Sequence, residues 1–301
     1  GRQPRGGLPI PDRTVTNVNE SPTTAHAPDV PRPLSSLPAA LWIAWFSMRE
    51  MARRRRLISL GLLNLLPVLA VLAVRLFFRT EGITAHQQLA ALSHDVIVPF
   101  LIPVMAMAVG ASAIGEQVEE GTIVYPWTRP IRRRAIYVGR LVAAQTVAAL
   151  MLCFSLMLCF MIMVSGGLGV ITWDFLRLYL GTFGLIVLGA GTYTALFAAF
   201  GTWLKKPVVP AILFAFGWEA MVTNIPARVQ ELSLRFHLQN LVERPAVTDA
   251  SDLPGLLGAL LTTAFKREPV PKLQSLIVLL AVAVAATVAG VWLLRHKEIE
   301  K

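Results

Sequence analysis

The sequence predicts an all-α integral membrane protein of about six transmembrane helices, preceded by a helix lying in the membrane interface. Three observations carry this. Hydrophobic residues make up 55% of the 301 positions and charged residues 15%, against roughly 25% charged in an ordinary soluble domain. A soluble chain of this size has no core large enough to hide so much apolar surface. The apolar residues also fall into long runs, and the formal charge of +10 comes from basic residues clustered around those runs. Such clustering marks juxtamembrane anchors rather than a nucleic-acid face.

The chain opens at Gly1 without a methionine, so the expectation is a start that is trimmed or incomplete upstream. Residues 1–36 carry seven prolines and no signal-like apolar stretch. Such a segment buries too little apolar surface to offset its ordering entropy, which predicts a flexible tail ahead of a membrane domain over 37–301. The domain starts with LPAALWIAWFSM, residues 37–48, too short to span a bilayer. Leu37, Ala40, Leu41, Ala44, Trp45 and Met48 follow helical spacing, with Ser36 placed to cap. Two tryptophans and Arg49 suit the headgroup level, so an interfacial helix is expected. An ordinary core helix is the alternative.

Arg53 to Arg56 abut the first spanning run, about 57–78, whose length of roughly 33 Å at 1.5 Å per residue clears the hydrocarbon core. Asn64 and Pro67 interrupt it, which is tolerable where a neighbouring helix satisfies the freed carbonyl. Arg75 lies near its far end and is expected to snorkel outward. Further spans are expected at about 96–114, 141–164, 178–204, 207–222 and 273–294. The fifth is the weakest, because it is short, begins at Pro207 and carries Glu219 near its end. Only Lys205 and Lys206 separate it from the fourth. In the third, Cys153 and Cys159 point roughly 240° apart around a helix and do not bridge within it. Gly191, Ala195 and Ala199, and again Ala281, Ala285 and Ala289, have the spacing of helix-packing faces. Chance in alanine-rich spans produces the same spacing.

Counting Lys and Arg sets the expected orientation. With the N-terminus inside, 19 of the 28 fall in cytoplasmic segments: nine before the first span, five in 115–140, two at 205–206 and three at the C-terminus. The short loops decide, and they predict a multi-pass protein of the plasma or inner membrane with both termini cytoplasmic.

The most informative stretch is EQVEEGTIVYPWTRPIRRRAIYVGR, residues 116–140. Glu116, Glu119 and Glu120 share one helix face where the second span leaves the membrane. Pro126 ends that helix. Thr128 is placed to cap another, with Pro130 in its first turn and Arg132, Arg133, Arg134 and Arg140 along it. The result is a helix-break-helix hairpin, acidic on entry and basic on exit.

In this order and spacing the stretch resembles the permease subunits of type-2 ATP-binding-cassette exporters. The residues that carry the resemblance are Glu120-Gly121-Thr122, Tyr125, Thr128-Arg129-Pro130, Arg133, Ile136 and Gly139-Arg140. Pro126-Trp127 departs from the family pattern, where two apolar residues are expected. The motif covers about 116–143, whereas the topology matches over 37–301, with the interfacial helix corresponding to the family's elbow helix. The resemblance implies that the hairpin couples to a separate ATPase through Glu116, Glu119, Glu120, Gly121, Thr122, Thr128, Arg129, Pro130, Arg133 and Arg140. A short rigid hairpin continuous with two spans suits the transmission of a push. A bland reading stands beside it, in which the arginines set topology and the glutamates pair with them.

The chain holds no G-x-x-x-x-G-K-[ST] and no Gly-Lys pair, so it has no P-loop to cradle phosphates. No cofactor is therefore expected in this chain, and ATP with Mg is expected on a partner ATP-binding-cassette subunit. Motifs of membrane hydrolases, H-E-x-x-H and G-x-S-x-G, are absent, which predicts a non-enzymatic subunit. The five histidines do not cluster, though His94-Asp95 sits at the mouth of the second span. Glu219, an acid near the end of an apolar run, is either a functional group or a headgroup-level charge. The expected protein is a permease working as a homodimer or heterodimer with two ATPase subunits. It would export amphipathic or lipid-like cargo, among membrane lipid and without nucleic acid. A non-transporting membrane scaffold and an ion-coupled secondary transporter are the alternatives; the second requires intramembrane charges or paired broken helices that are not evident.

Overall fold

The computed structural model describes residues 1, 36–52, 56–77, 84–119, 133–165, 171–204, 206–224, 228–242 and 270–296. The tail expected over 1–36 lies outside them apart from its two end residues. Among the described residues there is helix and no strand, as the apolar runs require where backbone groups must be satisfied within the segment. Eight helices organise the described chain: α1 (Ser36–Ala52), α2 (Ile58–Phe77), α3 (Ala85–Gly115), α4 (Arg133–Val164), α5 (Trp173–Trp203), α6 (Val208–Thr223), α7 (Leu234–Leu241) and α8 (Lys272–His296). By length and composition α2, α3, α4, α5 and α8 are able to cross a membrane. The expected fifth span, α6, is shorter: its 16 residues reach about 24 Å, less than the roughly 30 Å of a hydrocarbon core.

Local chemistry explains where each helix breaks or begins. Pro67 has no N–H for the Leu63 carbonyl, and a turn at Leu65 divides α2 into a segment that ends at Asn64 and the segment Leu66–Phe77. The neighbours make good the break, because the Ser155 hydroxyl of α4 donates to the Asn64 carbonyl at 2.6 Å and the Asn64 amide faces Met105 Sδ at 3.4 Å. Arg75 does more than snorkel. Its guanidinium donates to the Ile162 carbonyl and to the Ser165 hydroxyl at the C-terminal end of α4, where unpaired carbonyls and the helix dipole attract a cation.

The second span starts earlier than the expected 96. Thr84 and Gln87 form a reciprocal capping box, with Thr84 Oγ1 accepting from Gln87 N–H at 3.3 Å and Gln87 Oε1 from Thr84 N–H at 3.0 Å, and α3 begins at Ala85. It continues through a π-helical stretch, Ser93–Leu101, that contains Pro99, and α6 has a second such stretch at Leu213–Trp218. Thr172 caps α5 by accepting from Phe175 N–H at 3.3 Å.

The core lies between α3, α4 and α5, where Leu101, Ile102, Met105, Leu152, Leu156, Ile186, Tyr193 and Phe197 are buried together. The most extensive pairing is α3 with α5, and it is made backbone to backbone. A Cβ on Gly110 would stand 2.9 Å from the Thr194 carbonyl oxygen, and one on Gly201 2.9 Å from that of Ala111. Small residues allow this approach in lipid, and Ala195 and Ala199 are buried in the same bundle. The second small-residue run behaves differently: Ala281, Ala285 and Ala289 face outward on α8. Cys153 is half-buried and Cys159 buried, and both are free thiols.

The α1 helix forms over Ser36–Ala52 and buries its small residues. Ala44 and Ser47 are buried and Ala40 and Ile43 half-buried, whereas Leu41, Trp42, Trp45 and Phe46 are exposed. It packs chiefly on α4, with its small side chains turned toward that helix.

Candidate functional site

The described end of the hairpin's return limb is the first two turns of α4, residues 133–140. Its side chains join four helices. Gly139 is the contact with α1: a Cβ there would lie 2.6 Å from the Ala40 carbonyl oxygen and 3.0 Å from Ile43 Cβ. Only a glycine on α4 and small residues on α1 permit this separation, which is why α1 turns Ala40 and Ala44 inward and its aromatics outward.

One position on, Arg140 reaches two ways. Its Nη1 donates to the Ala113 carbonyl of α3 at 3.0 Å, and its Nη2 stands 3.8 Å from Glu50 Oε2 of α1. The first is a charge-assisted hydrogen bond, of a class contributing about 1.5–3 kcal/mol. The second exceeds hydrogen-bond length. With Arg140 12% and Glu50 36% exposed, it is an ion pair of about 1 kcal/mol or less. Tyr137 supplies the fourth link. It is fully buried, and its ring and hydroxyl abut Gly290 of α8 so closely that a Cβ at 290 would collide with it. Val109, Ile114, Leu141, Ala144, Ala286 and Leu294 close around this junction as a separate apolar cluster.

Of the residues expected to couple to an ATPase, Arg140 is thus at the centre of this junction. Arg133 is the first residue of α4, and Glu116 and Glu119 lie in the last turn of the helical segment that ends at Glu119. The side chains of these three lie outside the described residues, as do Glu120, Gly121, Thr122, Thr128, Arg129 and Pro130 entirely. The expected pairing of the acidic with the basic limb therefore also lies outside. Sequence reading missed Glu50, Tyr137 and Gly290, each of which acts through a partner remote in the chain.

Among the described residues the junction brings no nucleophile and base together; it supplies close packing and hydrogen bonds between helices. His94 Nδ1 and Asp95 Oδ1 are 2.7 Å apart, yet among the described residues no three His, Cys, Asp or Glu side chains are placed to hold a metal. A family model described as ABC-2 family transporter protein matches residues 41–299. No curated protein matches the chain.

Proposed function

Because the chain belongs to the ABC-2 family of transporter proteins, a family of multi-pass membrane permeases, we propose that it is the permease subunit of an exporter powered by a separate ATP-binding-cassette subunit. The observation that carries this is the joint at Gly139 and Arg140, where the return limb of the hairpin is bound to α1 and α3 before α4 enters the bundle. A push delivered to residues 116–132 from the cytoplasmic side enters α3 and α4 together, and Tyr137 passes it to α8. ATP and Mg belong to the partner, and this chain supplies no cofactor site. The acidic face of Glu116, Glu119 and Glu120, the Gly121-Thr122 and Thr128-Arg129-Pro130 segments and Arg133 form the docking surface in this reading.

Two copies of the permease, identical or paired with a homologue, enclose the pathway between them in surrounding lipid. Both termini lie in the cytoplasm, as the basic-residue count supports. The described spans bury few ionisable groups, which favours amphipathic or lipid-like cargo over small ions. Crosslinkers placed at positions 128–133 in native membranes test the reading. They are expected to capture a protein with a Walker-type nucleotide site, and purified permease that hydrolyses ATP without such a partner contradicts it.

A further inference from the structure

Glu219 is 1% exposed near the end of α6, and the joint around Arg140 makes no use of it. Its carboxylate is committed to another helix. Oε1 accepts from Leu234 N–H at 3.1 Å, and Oε2 accepts from Arg235 N–H at 2.9 Å and from the Ser233 hydroxyl at 2.5 Å. The Ser233 hydroxyl oxygen in turn accepts from Phe236 N–H at 3.2 Å, and the Ser233 N–H donates to the Gln230 carbonyl at 3.0 Å. All four N–H groups that an isolated helix leaves unpaired are satisfied at the start of α7, two of them by a side chain from α6.

The rest of α7 is held by polar links as well. His237 Nδ1 lies 3.1 Å from Ser275 Oγ of α8, Asn240 donates to the same hydroxyl at 3.0 Å, and Gln239 donates to the His94 carbonyl of α3 at 3.2 Å. Leu238 is fully buried against Gly189 of α5. An eight-residue helix is unstable by itself, so α7 persists only while docked. His94 lies within one π-helical stretch and Glu219 directly succeeds the other. The two stretches touch through Phe100 and Phe216, whose ring centroids are 6.0 Å apart. A π-turn is one residue from α-helical register, and losing it rotates the remainder of the helix by about 100°.

We propose that α7 is a detachable plug at the end of the bundle opposite the hairpin, with Glu219 as its latch. Register changes in the π stretches of α3 and α6 withdraw the latch. Carboxylate and N–H groups lose their partners together, so the plug is docked or released as a unit, with water satisfying both sides when it leaves. The timing of release, though not the latch, rests on the permease reading.

The test uses membranes carrying the full chain with its partner ATPase, in a background where Cys153 and Cys159 are replaced by alanine. The probe is a membrane-impermeant maleimide reacting with Leu238→Cys. Labelling is expected to be slow at rest and to rise about tenfold or more in Glu219→Gln, the range set by losing a charge-assisted hydrogen bond. The same rise is expected during ATP turnover without that substitution. Because Glu219→Gln is capable of disturbing folding, a second variant, Thr223→Cys with Ser233→Cys, bridges side chains now 2.9 Å apart. Oxidation is expected to abolish turnover-dependent labelling, and a reductant to restore it. Unchanged labelling in Glu219→Gln overturns the latch. Turnover-dependent labelling that survives the crosslink overturns release of the plug. Recovery of no ATPase at all counts against the permease reading alone, since the resting comparison needs no ATP.

Discussion

Arg140 and Ala113 are 27 positions apart, yet the guanidinium of one donates to the carbonyl of the other at 3.0 Å, tying the start of α4 to α3. The bond crosses from the start of one membrane helix to the end of another, and Glu50 of α1 faces the same guanidinium. In the proposed coupling, rigidity at this point decides whether a force from the ATPase moves the bundle.

Replacing Arg140 by alanine is expected to lower stability by about 1.5–3 kcal/mol, read as a lower midpoint of thermal unfolding in detergent. Arg140→Lys keeps the charge and one donor but loses the fork that reaches both partners, so it should fall between the two. Equal midpoints for alanine and lysine would show that neither the charge nor a single donor compensates for the lost fork.

Gly290→Ala drives a methyl into Tyr137 and should cost about 1–3 kcal/mol as overpacking. The Tyr137 hydroxyl has no hydrogen-bond partner among the described residues, so Tyr137→Phe alone is expected to be neutral or slightly stabilising. The double variant should recover part of the loss. A cycle measured by thermal unfolding checks this, and strict additivity would place the strain elsewhere.

Ser155→Ala removes the donor to the Asn64 carbonyl at the break in α2. Interhelical bonds of this kind in membranes contribute about 0.6 kcal/mol on average and reach about 1.7, and a loss in that range is expected from thermal unfolding. Pairing Ser155→Ala with Pro67→Ala should leave that loss in place, because the restored N–H meets the Leu63 carbonyl and not that of Asn64.

Glu116→Gln combined with Glu120→Gln tests the proposed coupling role of the acidic limb. The variant is expected to insert and bind its ATPase normally, because surface pairs contribute only about 0–1 kcal/mol each, while transport of a fluorescent phospholipid probe per ATP hydrolysed falls. An unchanged ratio in the reconstituted complex would reduce these acids to solvating charges.

The membrane helices were legible because lipid demands long apolar runs, and their ends moved only where polar residues continue a helix. Ala85 to Asp95 is such a case, carried into α3 by a capping box that a search for apolar length passes over. The face that α1 turns to α4 carries no such mark either. The closeness permitted by Gly139 selects alanine and serine there and leaves the aromatics outward. Glu219 stood out as an acid in an apolar run, but its partners include the backbone N–H groups of Leu234 and Arg235, and any residue but proline would supply those. Arg140 was visible from its place in the hairpin. That it ties the start of α4 to α3 depends on a carbonyl at Ala113, which carries no mark in the sequence.

The contacts at Gly139 and Tyr137 also bear on the parity of the chain. Ala40, near the start of the membrane domain, and Gly290, near its end, are both held by residues two positions apart on α4. Both ends of the membrane domain thus meet one end of α4, which fits a chain that crosses an even number of times. Among the described residues five helices have full length, and under the six-span reading α6 makes the sixth passage despite its length. Its beginning abuts α3 where Pro207 meets Gly115, 3.1 Å from a Cβ placed there, and its far end meets α7. Under that reading the bilayer around α6 is thinned or its ends are solvated, and tags at the two termini are expected on the same side of the membrane.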